Sequence, residues 1–248
     1  MRKLSVVIAA LNEEKNIGRA LKSASFADDI VIVDSGSTDN TVKAAKKYTS
    51  RIYRAEFRGF SAVKGMGTAK AKGDYILVLD ADEEITAALK NKIKAILGEK
   101  KPFDGYAVKR VNFFLGGEIK YCGWGNDYQV RLFKNGAGRF DGRQVHENII
   151  VRGLMGKIEE PLLHYTYPDS SSYFIKMNRY TTLAARPGRG PAAVVGMVFA
   201  PFLKFFRMFF LKRGFKDGMR GFILCVYSGI SEFVKYAKEA EKGFKHGR

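Results

Sequence analysis

Cysteine is almost missing from this chain of 248 residues: Cys122 and Cys225 are its two, far apart and without a CxxC spacing. That excludes a disulfide framework and a zinc ribbon, and it points to a reducing, cytosolic setting. Internal repeats and low-complexity tracts are missing too. The balance of 46% hydrophobic to 27% charged residues is that of a folded chain, not of a disordered tail or a collagen-like fibre. No strand end carries G-x-G-x-x-G or G-x-x-x-x-G-K-S/T, which argues against a dehydrogenase or a P-loop ATPase. Acid is in short supply: 25 Asp and Glu face 43 Lys and Arg, a net charge of +18. So large an excess needs a negative partner, and the candidates are nucleic acid, an anionic membrane surface or a phosphorylated substrate. The basic start and short apolar run of residues 1–10 fall short of a signal peptide, because two acids follow at once and no small-residue cleavage site appears.

What is present is an alternation of strand and helix. Residues 4–10 form a continuous apolar, β-branched run that predicts a strand, and Asn12 stands as N-cap ahead of a helix with Ile17, Leu21 and Ala24 on one face. The unit repeats with a strand over 29–34, a turn over 35–39 and a basic helix over 41–48. A short strand over 51–55, a helix over about 61–71 and a strand over 74–80 follow. This grammar predicts an α/β chain with a mostly parallel sheet and helices on both faces. Covering both faces explains why the strands are apolar throughout instead of alternating.

After Asp82 comes an amphipathic helix, with Thr86 as its cap and Leu89, Ile93, Ile96 and Leu97 facing inward. Residues 106–166 then read as mixed short strands with hairpins and long loops. Helix returns at Ser170, with Tyr173, Met177, Tyr180 and Leu183 on one face, and Pro-Gly-Arg-Gly-Pro at 187–191 is the clearest linker. The expected division is a main domain over 1–185, with halves 1–100 and 101–185, and a basic helical extension over 186–248. Residues 192–211 are apolar and aromatic, but Pro201, Lys204 and Arg207 interrupt them and argue against a spanning helix. In the last 63 residues thirteen Lys and Arg face four Asp and Glu, which is half the net charge. Phe and Met beside Lys and Arg suit a segment lying on an anionic leaflet; the alternative is a packed helical layer with solvated cations.

In an open parallel sheet the ligand crevice lies at the carboxyl ends of the strands. The first strand ends in Asn12 and Glu13, the second in Asp34 with Asp39 beyond a glycine turn, and the fourth in Asp80-Ala81-Asp82. Acids gathered on one rim repel one another unless sugar hydroxyls, base N–H groups and a cation compensate them. In extended backbone Asp80 and Asp82 project on the same side, roughly 6 to 7 Å apart. Such hard oxygens suit Mg²⁺ or Mn²⁺ bridging to a diphosphate; the alternative is an acidic turn capping the next helix. Gly65-Met66-Gly67 is open to two readings, a close approach of Lys64 or backbone to a phosphate, or a helix packed loosely on the sheet.

Three blocks carry a family resemblance: Ser-Val-Val-Ile-Ala-Ala-Leu-Asn-Glu-Glu at 5–14, Val-Ile-Val-Asp-Ser-Gly-Ser-Thr-Asp at 31–39, and Ala-Lys-Gly-Asp-Tyr-Ile-Leu-Val-Leu-Asp-Ala-Asp-Glu at 71–83. They resemble the signature blocks of family 2 glycosyltransferases, which implies a GT-A nucleotide-diphospho-sugar fold and a metal-binding DxD at Asp80 and Asp82. Asp127-Tyr-Gln-Val-Arg-Leu-Phe and Gln144-Val-His-Glu147 are similar to the bacterial branch containing lipopolysaccharide core β-1,4-glucosyltransferases, and the likeness runs over about residues 2–185. The commonest form of the second block has two aspartates. Here the second is Ser35, which leaves the uracil contact to Asp34.

The resemblance implies inverting transfer of a hexose from a nucleotide sugar, with UDP-glucose as the expected donor and a lipid-linked saccharide as acceptor; the apolar, basic tail adds the expectation of a cytoplasmic enzyme peripheral on the inner face of the cytoplasmic membrane. The donor contacts it implies are Ala10, Asn12, Glu13, Asp34, Ser35, Lys64, Asp80, Ala81 and Asp82. A carboxylate must take the acceptor proton; Glu147 is the first candidate and Asp127 the second. His146 is open to assisting the diphosphate or to a structural role, while His164 is expected to pack in an aromatic strand. Trp124, Tyr121 and Tyr128 are candidates either for stacking on an acceptor sugar or for the core, and Arg131 and Arg143 for acceptor phosphates or for solvent. A polyprenyl-phosphate glycosyltransferase is the alternative enzyme, its anionic acceptor needing no base. A nucleic-acid-binding protein would spread cations and aromatics along one groove, whereas here much of the excess sits in an apolar tail, so no nucleic acid is expected.

Overall fold

The computed structural model describes residues 1–57, 59–143, 148–185 and 190–246. The elements in order are β1 (Leu4–Ala10), α1 (Ile17–Ala24), β2 (Asp29–Asp34), α2 (Thr41–Ala45), β3 (Ile52–Arg54), α3 (Phe60–Lys70), β4 (Tyr75–Asp80), β5 (Glu83–Ile85) and α4 (Ala87–Gly98). Then come β6 (Gly105–Phe114), β7 (Gly117–Glu118), β8 (Asp127–Lys134), β9 (Gly138–Phe140), β10 (Ile149–Val151) and β11 (Met155–Tyr167). Three long helices close the chain: α5 (Ser170–Ala184), α6 (Gly190–Phe206) and α7 (Gly218–His246). Two compact units result, Met1–Arg110 with Asp127–His164, and Val111–Asn126 with Tyr165–Arg248. Residues 111–126 and 165–185 thus belong with the C-terminal helices, whereas the sequence suggests a break after residue 185.

The main sheet runs β3-β2-β1-β4-β8-β6-β11-β5, with β7 on β6. β1 pairs in parallel with β2 and β4, bringing Ala10 level with Asp34 and Ala9 level with Asp80. β8 joins β4 antiparallel and β6 joins β8 antiparallel, so the sheet is mixed. In the first unit Leu4, Val6 and Ile8 pack with Ile17 and Leu21 of α1 and Leu89 and Ile93 of α4. The other face of β1 gives Val7, which packs with Val31, Ile76, Val78 and Phe133. These side chains are at most 1% exposed, and full burial of each aliphatic one stabilises by roughly 1.5–3 kcal/mol. On the Val7 face lies α3. A Cβ at Gly67 would run into Val7, so the glycine lets α3 sit close on β1, which settles Gly67 as a packing glycine.

Three local expectations are corrected. Asn12 does not cap α1: it adopts a left-handed φ of 56° and Asn16 takes the cap position. The basic helix expected over 41–48 stops at Ala45. The segment after Asp82 forms β5, unforeseen because it is three residues long and pairs with β11 far along the chain, Glu83 opposite His164. Thr86 does cap α4, its Oγ1 accepting from the Leu89 N–H at 3.1 Å, a contribution of about 1 kcal/mol.

In the second unit Asp169 caps α5 by accepting from the Ser172 N–H at 2.7 Å. A π-helical turn (Arg207–Leu211) and a 3-10 turn (Gly214–Asp217) connect α6 to α7. The two helices run antiparallel and close, since the missing side chains of Gly196 and Gly229 make room for the Tyr236 ring and the Pro201 carbonyl. Phe114, Ile119, Tyr173, Met208 and Leu224 form the core, together with Cys122 and Cys225. Both cysteines are free thiols, as the sequence led one to expect.

Candidate active site

Because β1 and β2 are parallel neighbours, their carboxyl-terminal loops meet on one rim and lace together. The Asn12 N–H donates to Ser37 Oγ at 2.9 Å, and Asn12 Oδ1 accepts from the Thr38 N–H at 2.8 Å. The Glu13 N–H donates to Thr41 Oγ1 at 2.7 Å and the Glu14 N–H to Asp39 Oδ2 at 3.1 Å. Burial works to raise the Asp39 carboxyl, but the Thr41 hydroxyl and N–H outweigh it and hold the group below its usual range. Asp34 is buried and accepts from the N–H groups of Gly36 (3.0 Å) and Ser37 (3.1 Å). Its carboxylate therefore shapes the turn. The Ser35 N–H donates to the Ala10 carbonyl at 2.9 Å. Ala10 and Ala81 are buried and apolar, so each offers a ligand only backbone.

One strand further along, a line of ion pairs crosses the sheet. Lys64 Nζ stands 2.5 Å from Asp80 Oδ1, and Arg131 stands 2.6 Å from Asp80 Oδ2 and 2.5 Å from Glu83. Arg110 then bridges Glu83 at 3.4 Å and Asp127 at 2.7 Å. Burial pushes the Asp80 carboxyl up, but Arg131 first and Lys64 second pull it well below the usual carboxylate range. The same partners, Asp80 and Glu83, overcome burial at Arg131 and raise its pKa. The backbone turns at residues 81 and 82, and the Asp80 N–H donates to Glu83 Oε2 at 2.9 Å. The extended geometry expected for Asp80 and Asp82 is thereby corrected. His164, expected to pack among aromatics, instead sits with Nε2 3.6 Å from Asp82 Oδ1. Beside the line is a cavity of about 180 Å³ lined by Lys64, Tyr128, Gln129, Arg131, Phe140 and Asn148.

A family model described as glycosyl transferase family 2 matches residues 5–146, more than half of the chain. The chain belongs to that family. It is 29% identical over 246 residues to the lipopolysaccharide core biosynthesis glycosyltransferase LpsC of Rhizobium meliloti, covering 95% of this chain and 91% of that protein. It is 25% identical over 264 residues to a glycosyltransferase of Rickettsia typhi, at 99% and 89% coverage. Among solved structures, Staphylococcus aureus TarS 1–349 superposes with a TM-score of 0.50 at 15% identity, covering 99% of this chain and 92% of that one. The protein is thus a glycosyltransferase with a GT-A-like fold, as the signature blocks implied.

Within this glycosyltransferase the sequence candidates separate. Asn12, Glu13, Asp34 and Ser35 stand on the β1–β2 rim, and Lys64 and Asp80 stand together with Arg131. Asp127 has one oxygen on Arg110 and the other accepting from Gln129 Nε2 at 2.8 Å. Glu147 and His146 lie outside the described residues. Arg143 is exposed and pairs with Asp141 at 3.3 Å; Trp124 packs against the core of the second unit. Tyr128 donates its hydroxyl to Glu159 at 2.5 Å. Sequence reasoning missed Glu83, Arg110 and His164 as members of the site, and only strand pairing reveals them. The carboxylates of Asp80 and Asp82 are hard oxygens of the kind that Mg²⁺ or Mn²⁺ takes, and the Lys64 ammonium lies on the first of them. Among the described residues no three His, Cys, Asp or Glu gather around one point. A divalent ion fits here as Mg²⁺ commonly binds, through one or two carboxylates and substrate phosphates.

Proposed function

We propose that the protein is an inverting hexosyltransferase that draws on a nucleoside diphosphate sugar, UDP-glucose first among them, and glycosylates a lipid-linked saccharide of the lipopolysaccharide core type. The observation that carries this reading is the single rim at the ends of the parallel strands, where Ala10 is level with Asp34 and Ala9 with Asp80, with Asn12 and Asp82 in the loops that follow β1 and β4, inside a family 2 chain. The name of the Rhizobium relative supports the acceptor class. The acceptor oxygen attacks the anomeric carbon, the bond to the diphosphate breaks, and the acceptor proton passes to a carboxylate. Glu147 is proposed as that carboxylate, a reading supported by the engagement of both Asp127 oxygens with Arg110 and Gln129. Asp127 then positions Arg110. Asp80 and Asp82 are proposed to hold a divalent ion, which when bound neutralises charge on the departing diphosphate. Lys64 and Arg131 add positive charge beside the same group.

The proposed place of work is the inner face of the cytoplasmic membrane. Val195, Val198, Phe199, Phe202, Leu203 and Phe206 of α6 are all exposed, and the basic side chains of Arg207, Lys212, Arg213 and Lys216 stand exposed just beyond them. The helical segment Ala193–Leu211 is long and apolar enough to cross a membrane, with a mean hydropathy of 1.8 and only 6% of it buried. Lys204, Arg207 and Pro201 within it favour lying in the interface over crossing.

The reading is tested by Asp82→Ala, expected to cut transfer about a hundredfold or more while circular dichroism and the thermal midpoint stay put. Full turnover in that variant would sink it. Glu147→Gln is expected to lose transfer and keep donor binding. If Asp127→Asn behaves that way and Glu147→Gln stays active, the base is Asp127.

A further inference from the structure

Among the described residues, the line of ion pairs beside Asp80 carries as many positive as negative charges. Lys64, Arg131 and Arg110 supply three positive charges, and Asp80, Glu83 and Asp127 three negative ones. A divalent ion arriving alone finds both Asp80 oxygens already covered by cations at 2.5 and 2.6 Å, and like charge opposes its approach. A diphosphate arriving alone finds Lys64 and Arg131 committed to carboxylates. Together, a doubly charged cation and a diphosphate carrying two to three negative charges largely offset one another: Lys64 leaves Asp80 for a phosphate oxygen, and the ion takes the vacated carboxylate oxygen.

Lys64 is the group able to exchange. Its ammonium ends a flexible four-carbon stem, and it borders the 180 Å³ cavity, which gives the head room to move. Arg131 by contrast is clamped by a second carboxylate, the fully buried Glu83. A second observation points to an anion here. The Arg131 side chain is 92% buried, yet among the described residues its Nε–H has no hydrogen-bond partner, a donor that a phosphate oxygen would satisfy.

Building on the glycosyltransferase reading above, we infer that Lys64 is an internal stand-in for the divalent ion on Asp80, and that it couples binding of the ion to binding of the nucleoside diphosphate. The coupling is reciprocal: UDP raises Mn²⁺ affinity by the factor by which Mn²⁺ raises UDP affinity. The test is Mn²⁺ uptake by the full chain, read from loss of the free-ion electron paramagnetic resonance signal, with and without saturating UDP. In the wild type UDP is expected to tighten Mn²⁺ roughly tenfold to a hundredfold. Lys64→Met is expected to bind Mn²⁺ alone about tenfold more tightly than the wild type and to lose most of the UDP enhancement. Lys64→Arg retains a cation and should keep the coupling, whereas Lys64→Met with Asp80→Asn should lose the gain, because the gain runs through Asp80. A Lys64→Met chain with the wild-type thermal midpoint and the wild-type enhancement overturns the proposal. A wild-type chain that binds UDP tightly but shows equal Mn²⁺ affinity with and without it also overturns the proposal, leaving the donor reading standing. One that takes up neither UDP nor Mn²⁺ strikes the donor reading first, and this inference falls with it.

Discussion

In the first compact unit Lys64, Arg110 and Arg131 each stand on a carboxylate, and Glu83, which bridges two of them, is fully buried. In the second unit Arg207, Lys212, Arg213 and Lys216 are exposed beside phenylalanines that are exposed too, Phe206, Phe210 and Phe215 among them. Both units are basic and aromatic by composition, yet one uses charge to hold acids in place and the other keeps charge and apolar surface side by side in solvent. Composition alone therefore misleads: an excess of cations reads as one property, and the fold makes two of it. Buried pairs make removal of one partner expensive, whereas exposed cations are nearly neutral for stability and act on what approaches from outside.

Substitutions can break that contrast. The largest effect is expected from Glu83→Ala, which takes from the buried Arg131 and from Arg110 one of the two carboxylates that each holds: a loss of about 3 kcal/mol of stability, measured by urea unfolding. A loss below 1 kcal/mol would mean that the line of pairs is not structural. Next comes the double substitution Phe199→Ser and Phe202→Ser in α6. Binding to vesicles rich in anionic lipid should weaken by more than about a hundredfold, given roughly 1.5–3 kcal/mol for each of the two buried aromatics. Stability should change by no more than about 0.5 kcal/mol for each exposed site. Unchanged sedimentation with vesicles would remove the membrane role of this face. Gly67→Ala forces a Cβ against Val7 and should cost about 1–3 kcal/mol, with the second unit unaffected.

The smallest effect concerns acid. Asp80 titrates below the ordinary carboxylate range in the folded chain, so its pairs stabilise fully above that range. The stabilisation fades as pH falls through it and is gone once Asp80 is protonated in the folded state. The thermal midpoint should therefore start to drop below about pH 5 and go on dropping until Asp80 is protonated in the folded chain, and less steeply in Asp80→Asn. Equal slopes would show that Asp80 is not held by Lys64 and Arg131.

What was legible in the sequence was local. The apolar runs of β1, β2 and β4 are read from consecutive residues, and parallel pairing makes their polar ends neighbours, so Asn12, Asp34 and Asp80 were within reach of periodicity and turn chemistry. The α4 cap at Thr86 was legible for the same reason. Arg131 meets Asp80 across 51 positions and Glu83 across 48, and His164 reaches Asp82 only because β11 pairs with β5. No spacing rule encodes such contacts; they follow from which strands become neighbours. Asn12 is the instructive failure: a polar residue after a strand suits a helix cap, but its side chain is taken by the loop after β2, and the helix starts later.

Isothermal titration of the wild type and of Asp82→Ala with UDP-glucose, each with and without Mn²⁺, tests most directly whether the rim of β4 holds an activated sugar. The prediction is a wild-type heat that requires Mn²⁺ and vanishes in Asp82→Ala. An Asp82→Ala chain that binds UDP-glucose as the wild type does, with or without the ion, would contradict it.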